Sequence, residues 1–312
     1  MKRTNGLAVV TVFLLILVLG TNSLADAIGI EYSLDSQGLE VTNGAFALNI
    51  EADGGPHYRI FDRGSYLSNY HLLFINAFEY VDSNHDGVYK LEHDLLLPPI
   101  LPLQTLDWIF GGFISGEESG NVVTLRFNLS SVDSLTPLHP NLWIGFQNHI
   151  SIENQSVLKF DISVEGWSWQ RTDSSLAIAL VIATGSPSGE ITERPDVDLF
   201  NRVITFDNAF ISSPTNATFG GQQARVNVSL GGANEQGDGE MLYFCFPNFG
   251  DVRLEYDPTF GLLQISNYTT TEPSPTTTTQ LTRLVDTDRI ILISIGVTTI
   301  FALVLIVRSK KQ

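Results

Sequence analysis

Asp82, Asn84 and Asp86 place side-chain oxygens at alternate positions, and Gly87 follows at once. This Asp-x-Asn-x-Asp-Gly spacing matches the first half of an EF-hand type calcium loop. Oxygens at positions 1, 3 and 5 converge on one cation because the glycine at position 6 permits a sharp turn; position 7, here Val88, then offers its carbonyl. Calcium is a hard cation that prefers oxygen donors, so Ca2+ is the expected cofactor. Position 12 departs from the pattern: His93 stands where a bidentate Glu is usual, flanked by Glu92 and Asp94. The expected ligand set is therefore Asp82, Asn84, Asp86 and the Val88 carbonyl, closed by Glu92 or Asp94. A plain Asn/Asp/Gly turn between strands uses the same residue types and is the competing reading. His85 and His93 raise the question of a transition metal, but the oxygen-rich set favours calcium over zinc.

Trp167 and Trp169, separated by Ser168, share a face if that segment is extended. On a solvent-facing sheet the two indoles would make a sugar-stacking platform; on an inner face they are core. Trp108 and Trp143 stand among apolar neighbours and read as packing. No catalytic residue is proposed. The Gly185–Gly189 stretch has proline at its centre and reads as a turn, not a nucleophile elbow. The acid pairs Asp196/Asp198 and Glu117/Glu118 are the remaining candidates for glycan chemistry, which requires a defined carboxylate separation.

These residues must be positioned by strands, because no stretch between the two termini sustains helical periodicity over three turns. Gly38–Glu51 alternates about Asn43-Gly44, a strong hairpin signal. Residues 122–128, 142–152, 157–164, 176–183 and 225–230 are further short runs rich in Val, Ile, Leu and Phe. Phe74–Val81 and Val88–Leu91, flanking the Asp-rich segment, also read as extended, which argues against a helix-loop-helix hand. Many short strands with Gly and Pro turns predict an all-β, sandwich-like domain. The Gly-rich loop at 231–239 is a candidate divider between two sheets or two packed subdomains; one continuous domain is the expectation.

The termini give an address. Residues 1–25 have the basic start, apolar run and small residues of a secretory signal peptide. Ile290–Val307 is an uncharged apolar run of 18 residues, long enough for a single transmembrane helix, and residues 308–312 form a basic tail. The positive-inside rule puts that tail in the cytoplasm and residues 26–266 outside the cell. Between them, residues 267–289 are rich in Thr and Pro and read as an extended stalk.

Thirty-two acidic side chains face ten basic ones between Asp26 and Thr282, a formal charge near −22. That balance argues against nucleic acid and leaves the membrane, with an extracellular protein or glycan, as the expected partners. Cys245 is the single cysteine, so an exported domain has no internal disulfide and relies on its core. Sequons at Asn128, Asn154, Asn216, Asn227 and Asn267 permit N-glycosylation.

Three segments, Phe78–Tyr89, Lys159–Trp169 and Tyr243–Gly261, together resemble a group of poorly characterised archaeal cell-surface proteins with a C-terminal membrane anchor. The resemblance implies an extracellular β domain and assigns no activity. The reading that combines these signals is a membrane-anchored surface binding or structural domain with a calcium-stabilised loop. The alternatives are a carbohydrate-binding domain and, behind it, a glycan-processing enzyme.

Overall fold

The computed structural model describes residues 29–263, apart from short stretches at 36–37, 45, 52–54, 64–68, 133–138, 154–156 and 187–189. The expected signal, stalk, span and tail lie outside the described residues, as do Asn154 and Asn267. Among the described residues no helix is long and apolar enough to cross a membrane.

The described chain begins with β1 (Glu31–Leu34), β2 (Leu39–Thr42), β3 (Phe46–Glu51), β4 (His57–Asp62), β5 (Asn69–Val81) and β6 (Leu95–Pro102). There follow β7 (Trp108–Glu118), β8 (Asn121–Ser131), β9 (Trp143–Ser151), β10 (Val157–Glu165), β11 (Ser175–Gly185) and β12 (Ile191–Glu193). The short strands β13 (Val197–Phe200), β14 (Val203–Phe206), β15 (Ala209–Ser212), β16 (Asn216–Phe219) and β17 (Gln222–Arg225) come next. Last are β18 (Asn227–Ala233), β19 (Glu240–Pro247), β20 (Leu254–Tyr256) and β21 (Thr259–Leu262).

They form two antiparallel sheets. The first runs β1-β2-β3-β4-β5-β11-β19-β18, with β6 on β5 and β12 on β11. The second runs β13-β14-β15-β21-β10-β20-β16-β17, and β9, β8 and β7 continue it from β10. The inner faces meet through aromatic rings. Phe74 of β5 lies 4.5 Å from Phe146 of β9 and 5.9 Å from Phe160 of β10, between ring centroids. Tyr70 meets Phe260, and Phe244 meets Tyr256. Alternation dictates this arrangement: in β3 every second side chain (Phe46, Leu48, Ile50) is buried. Each large side chain so buried contributes roughly 1.5–3 kcal/mol.

The Asn43-Gly44 hairpin forms as expected. Asn43 accepts the N–H of Phe46 on its side chain at 2.9 Å and donates its own N–H to the Phe46 carbonyl at 3.1 Å. The Gly-rich loop does not divide two subdomains, since it joins β18 to β19 within the first sheet and the described residues belong to one compact unit. One of the chain's crossings between sheets falls inside the predicted 225–230 run instead. Arg225 ends β17 in the second sheet, Asn227 starts β18 in the first, and Val226 between them is fully buried. A single buried corner residue cannot be told from a strand interior by its apolar character.

A bulge in β5 governs what lies outside the sandwich. Ala179 pairs with Asn76 while Leu180 pairs with Phe74, so Ile75 is an extra residue. One inserted residue reverses the facing of everything after it. Tyr70, Leu72 and Phe74 therefore point into the sandwich, whereas Phe78 and Tyr80 point outward and form a second apolar cluster with Ala177, Ala179 and Cys245.

Candidate functional site

Tyr89 closes that outer cluster, and the Asp82–Asp94 segment holds it there. Its ring packs edge-on against Phe78, Tyr80 and Tyr243, with centroids at 4.8, 5.3 and 5.2 Å. Ala177 and Ala179 are small enough to leave room beneath it. Its carbonyl accepts from the Ser229 hydroxyl at 3.2 Å.

The chain must leave β5, reverse and bring Tyr89 back over the sheet within a few residues. Gly87 makes this possible. Its φ of +79° is in the left-handed region, and an added Cβ would come within 2.1 Å of the Asn227 side-chain amide. His85 also takes a positive φ of 60°. Asp82 accepts the Gly87 N–H on Oδ2 at 2.7 Å. Its other oxygen, Oδ1, is buried and has no hydrogen-bond partner. Asn84 Oδ1 accepts the Asp86 N–H at 3.1 Å, and Asp86 Oδ1 accepts the Val88 N–H at 3.0 Å. Lys90 forms an ion pair with Asp86, and that hydrogen bond, as the leading cause, holds the Asp86 carboxyl below the usual range.

The two candidates for closing the loop differ. Asp94 ties its ends together, accepting the Ser83 N–H on Oδ1 at 3.0 Å and the Lys90 N–H on Oδ2 at 2.7 Å. Glu92 is exposed. Val88–Leu91 is not a strand, contrary to expectation. Lys90 starts a tight turn whose carbonyl accepts from His93 and Asp94, and β6 begins only at Leu95. Asn84 and Asp86 are hydrogen-bonded to each other, and Asp82 keeps one buried carboxylate oxygen without a hydrogen-bond partner. Asp82 Oδ1 is the one loop oxygen with no donor on it, while the Lys90 ammonium already occupies Asp86, and no group of three or more His, Cys, Asp or Glu side chains converges as a metal site among the described residues.

The other sequence candidates are placed differently. Trp167 is 2 % exposed, with its ring 4.2 Å from that of His139. Trp169 packs at 5.0 Å from Phe249, and its indole N–H donates to the Gly250 carbonyl at 3.0 Å. The two indoles therefore belong to the packing and do not present a paired sugar platform. Glu79, on β5 and 1 % exposed, anchors their segment by accepting the N–H groups of Gln170 and Arg171 and the Ser174 hydroxyl. Trp108 is core as expected, but Trp143 lies half-buried with the Arg253 guanidinium 4.6 Å above its ring.

Asp196, Asp198, Glu117 and Glu118 are all exposed. Asn216 is exposed as a sequon would require, whereas the Asn227 amide is packed against Gly87 and accepts from Arg225, and the half-buried Asn128 lies beside Gly112. The carboxylates that do meet are Asp161 and Asp257. Their separation along the chain hid them, and only the β10–β20–β21 pairing unites them.

No protein-family model matches the sequence, and no curated protein matches it. Among solved structures, the heparan sulfate lyase HepC from Pedobacter heparinus is similar at a TM-score of 0.40 and 9 % identity, over 83 % of this chain and 42 % of that one. A mutant of the same lyase is similar at a TM-score of 0.36 and 10 % identity, over 76 % of this chain and 35 % of that one. The chain thus spans less than half the length of either structure. Similarity of this degree assigns neither activity nor substrate.

Proposed function

We propose that the chain is a membrane-anchored cell-surface binding or structural domain whose Asp82–Asp94 loop is locked by calcium. The observation that carries the calcium reading is the buried, unpartnered Oδ1 of Asp82, in a loop whose Asn84 and Asp86 side chains are hydrogen-bonded to each other. A bare buried carboxylate oxygen costs several kcal/mol unless a cation or donor reaches it. Calcium there would be held by Asp82, Asn84, Asp86 and the Val88 carbonyl, with Glu92 or Asp94 and water completing the shell. It would displace the Lys90 ammonium from Asp86 and pin Tyr89 over the outer cluster. Extracellular calcium is abundant enough to fill a site lacking its bidentate Glu.

The surface address rests on the basic–apolar start, the 18-residue apolar run and the basic tail. Two measurements test the reading. Isothermal titration of the full chain in mild detergent should give one calcium site, lost in Asp82→Ala with Asp86→Ala; no calcium heat in the wild type contradicts it. A membrane-impermeant amine label on intact cells should reach Lys90 and Lys159; labelling of these only after lysis contradicts the surface address.

A further inference from the structure

On the outward face of β8, β9 and β10 lies a cleft of about 220 Å³, lined by Arg126, Gln147, His149, Lys159, Asp161 and Asp257. Strand register builds it in two rows. Arg126, His149 and Lys159 stand opposite one another across the three strands, and Gln147 stands opposite Asp161 in the next row. Asp257, between β20 and β21, forms the wall, and Lys159 Nζ lies 3.4 Å from its Oδ2. That is space for a single sugar ring, and no apolar side chain lines it.

The charges are unusual for this molecule. In a chain of net charge −17, a row of three nitrogen-bearing side chains faces outward, and Arg126 has no ion-pair partner among the described residues. Burial, then the Arg126 and Lys159 charges, lower the His149 pKa, so its ring is neutral near pH 7 and offers one donor and one acceptor. Burial, then the hydrogen bond and repulsion from Asp257, push the Asp161 carboxyl up to about 7; Glu255 adds to the repulsion and Lys159 opposes it. One proton shared between two carboxyls leaves a single negative charge and an O–H donor. Two cations against one anion leave room for one more negative charge. The remaining groups alternate donors and acceptors, as ring hydroxyls require.

We propose that this cleft binds the acidic sugar of a glycan, a hexuronate unit, with its carboxylate on Arg126 and its hydroxyls on Gln147, His149 and the Asp161–Asp257 pair. The site is separate from the calcium loop and its reading does not depend on it. A compact polyanion such as sulfate would meet the carboxyl pair with no hydroxyls to offer. An acidic peptide would bring apolar groups that nothing in the cleft receives.

The test is calorimetric titration of the full chain in mild detergent with trigalacturonate, beside maltotriose and sodium sulfate, at about pH 6 and about pH 8.5. Trigalacturonate should bind at the lower pH at least roughly tenfold tighter than either control, because only it satisfies both rows. Arg126→Gln, an exposed position whose change should leave the melting temperature unaltered, should weaken binding by roughly tenfold. At the higher pH the second carboxyl ionises and wild-type binding should fall, while Asp161→Asn should retain it. Equal binding of maltotriose, sulfate binding as tight as the uronate, an unaffected Arg126→Gln variant, or no trigalacturonate binding would each overturn the proposal.

Discussion

The backbone N–H of Tyr89 donates to the thiol sulfur of Cys245 at 3.2 Å, joining the Asp-rich loop to β19. The lone cysteine is thus a buried packing group that ties the loop to the first sheet. Burial pushes its pKa up to about 11, so little thiolate exists near neutrality. A thiol reagent added to the native protein at pH 7.5 should label it only at the rate of unfolding; fast labelling would mean that the loop opens locally.

Glu79 makes a second prediction. It faces the inner side of β5 and holds the Trp167–Ser174 segment through the Gln170 and Arg171 N–H groups. Glu79→Ala removes the acceptor of these part-buried donors and of the buried Ser174 hydroxyl and should cost about 1–2 kcal/mol in denaturant unfolding, with a red shift in tryptophan emission as Trp169 gains water. Glu79→Gln keeps an acceptor oxygen and should cost less. Equal losses for both would assign the effect to charge.

How much of this was legible follows from which signals are local. The Asn43-Gly44 hairpin and the runs in β8 to β10 alternate over several residues, and β11 is a continuous apolar run buried on both faces, so these could be read directly. The four-residue strands β13 to β17 carry too few residues for a period to show. The bulge at Ile75, which sends Phe78 and Tyr80 outward, leaves no mark in composition, so the outer cluster was invisible. The Asp82-to-Asp86 cluster was readable because its members are neighbours. The Asp161–Asp257 cleft was not, because antiparallel pairing alone brings its walls together.

Acid should expose another buried pair. His57 Nε2 and His71 Nδ1 meet at 2.8 Å, and His57 Nδ1 lies 3.3 Å from Glu51. Burial, then the Arg59 charge, lowers His57 to about 4; burial, then His57 and Arg59, lowers His71 to about 3. Both are neutral when folded, while the unfolded chain takes up protons near 6.5. Stability should therefore fall as pH drops from about 6.5 toward 4, by up to about 1.4 kcal/mol per pH unit for each ring. Asp161, raised to about 7, contributes the opposite slope over part of that window. The measurement is therefore a difference: His57→Asn with His71→Asn should flatten the acid limb relative to wild type. An unchanged slope would show that these rings are not buried neutral.

The most direct test of the account is the melting temperature of the full chain with and without calcium. A ligand at a hundred times its dissociation constant adds about 2.7 kcal/mol. For a domain of this size that is a rise of roughly 5–10 °C. The rise should appear with calcium, be much smaller with equimolar magnesium, which demands a stricter geometry, and vanish in Asp82→Ala with Asp86→Ala. A melting temperature indifferent to calcium, or a rise that survives the double substitution, would contradict the claim that the Asp82–Asp94 loop is a calcium clamp.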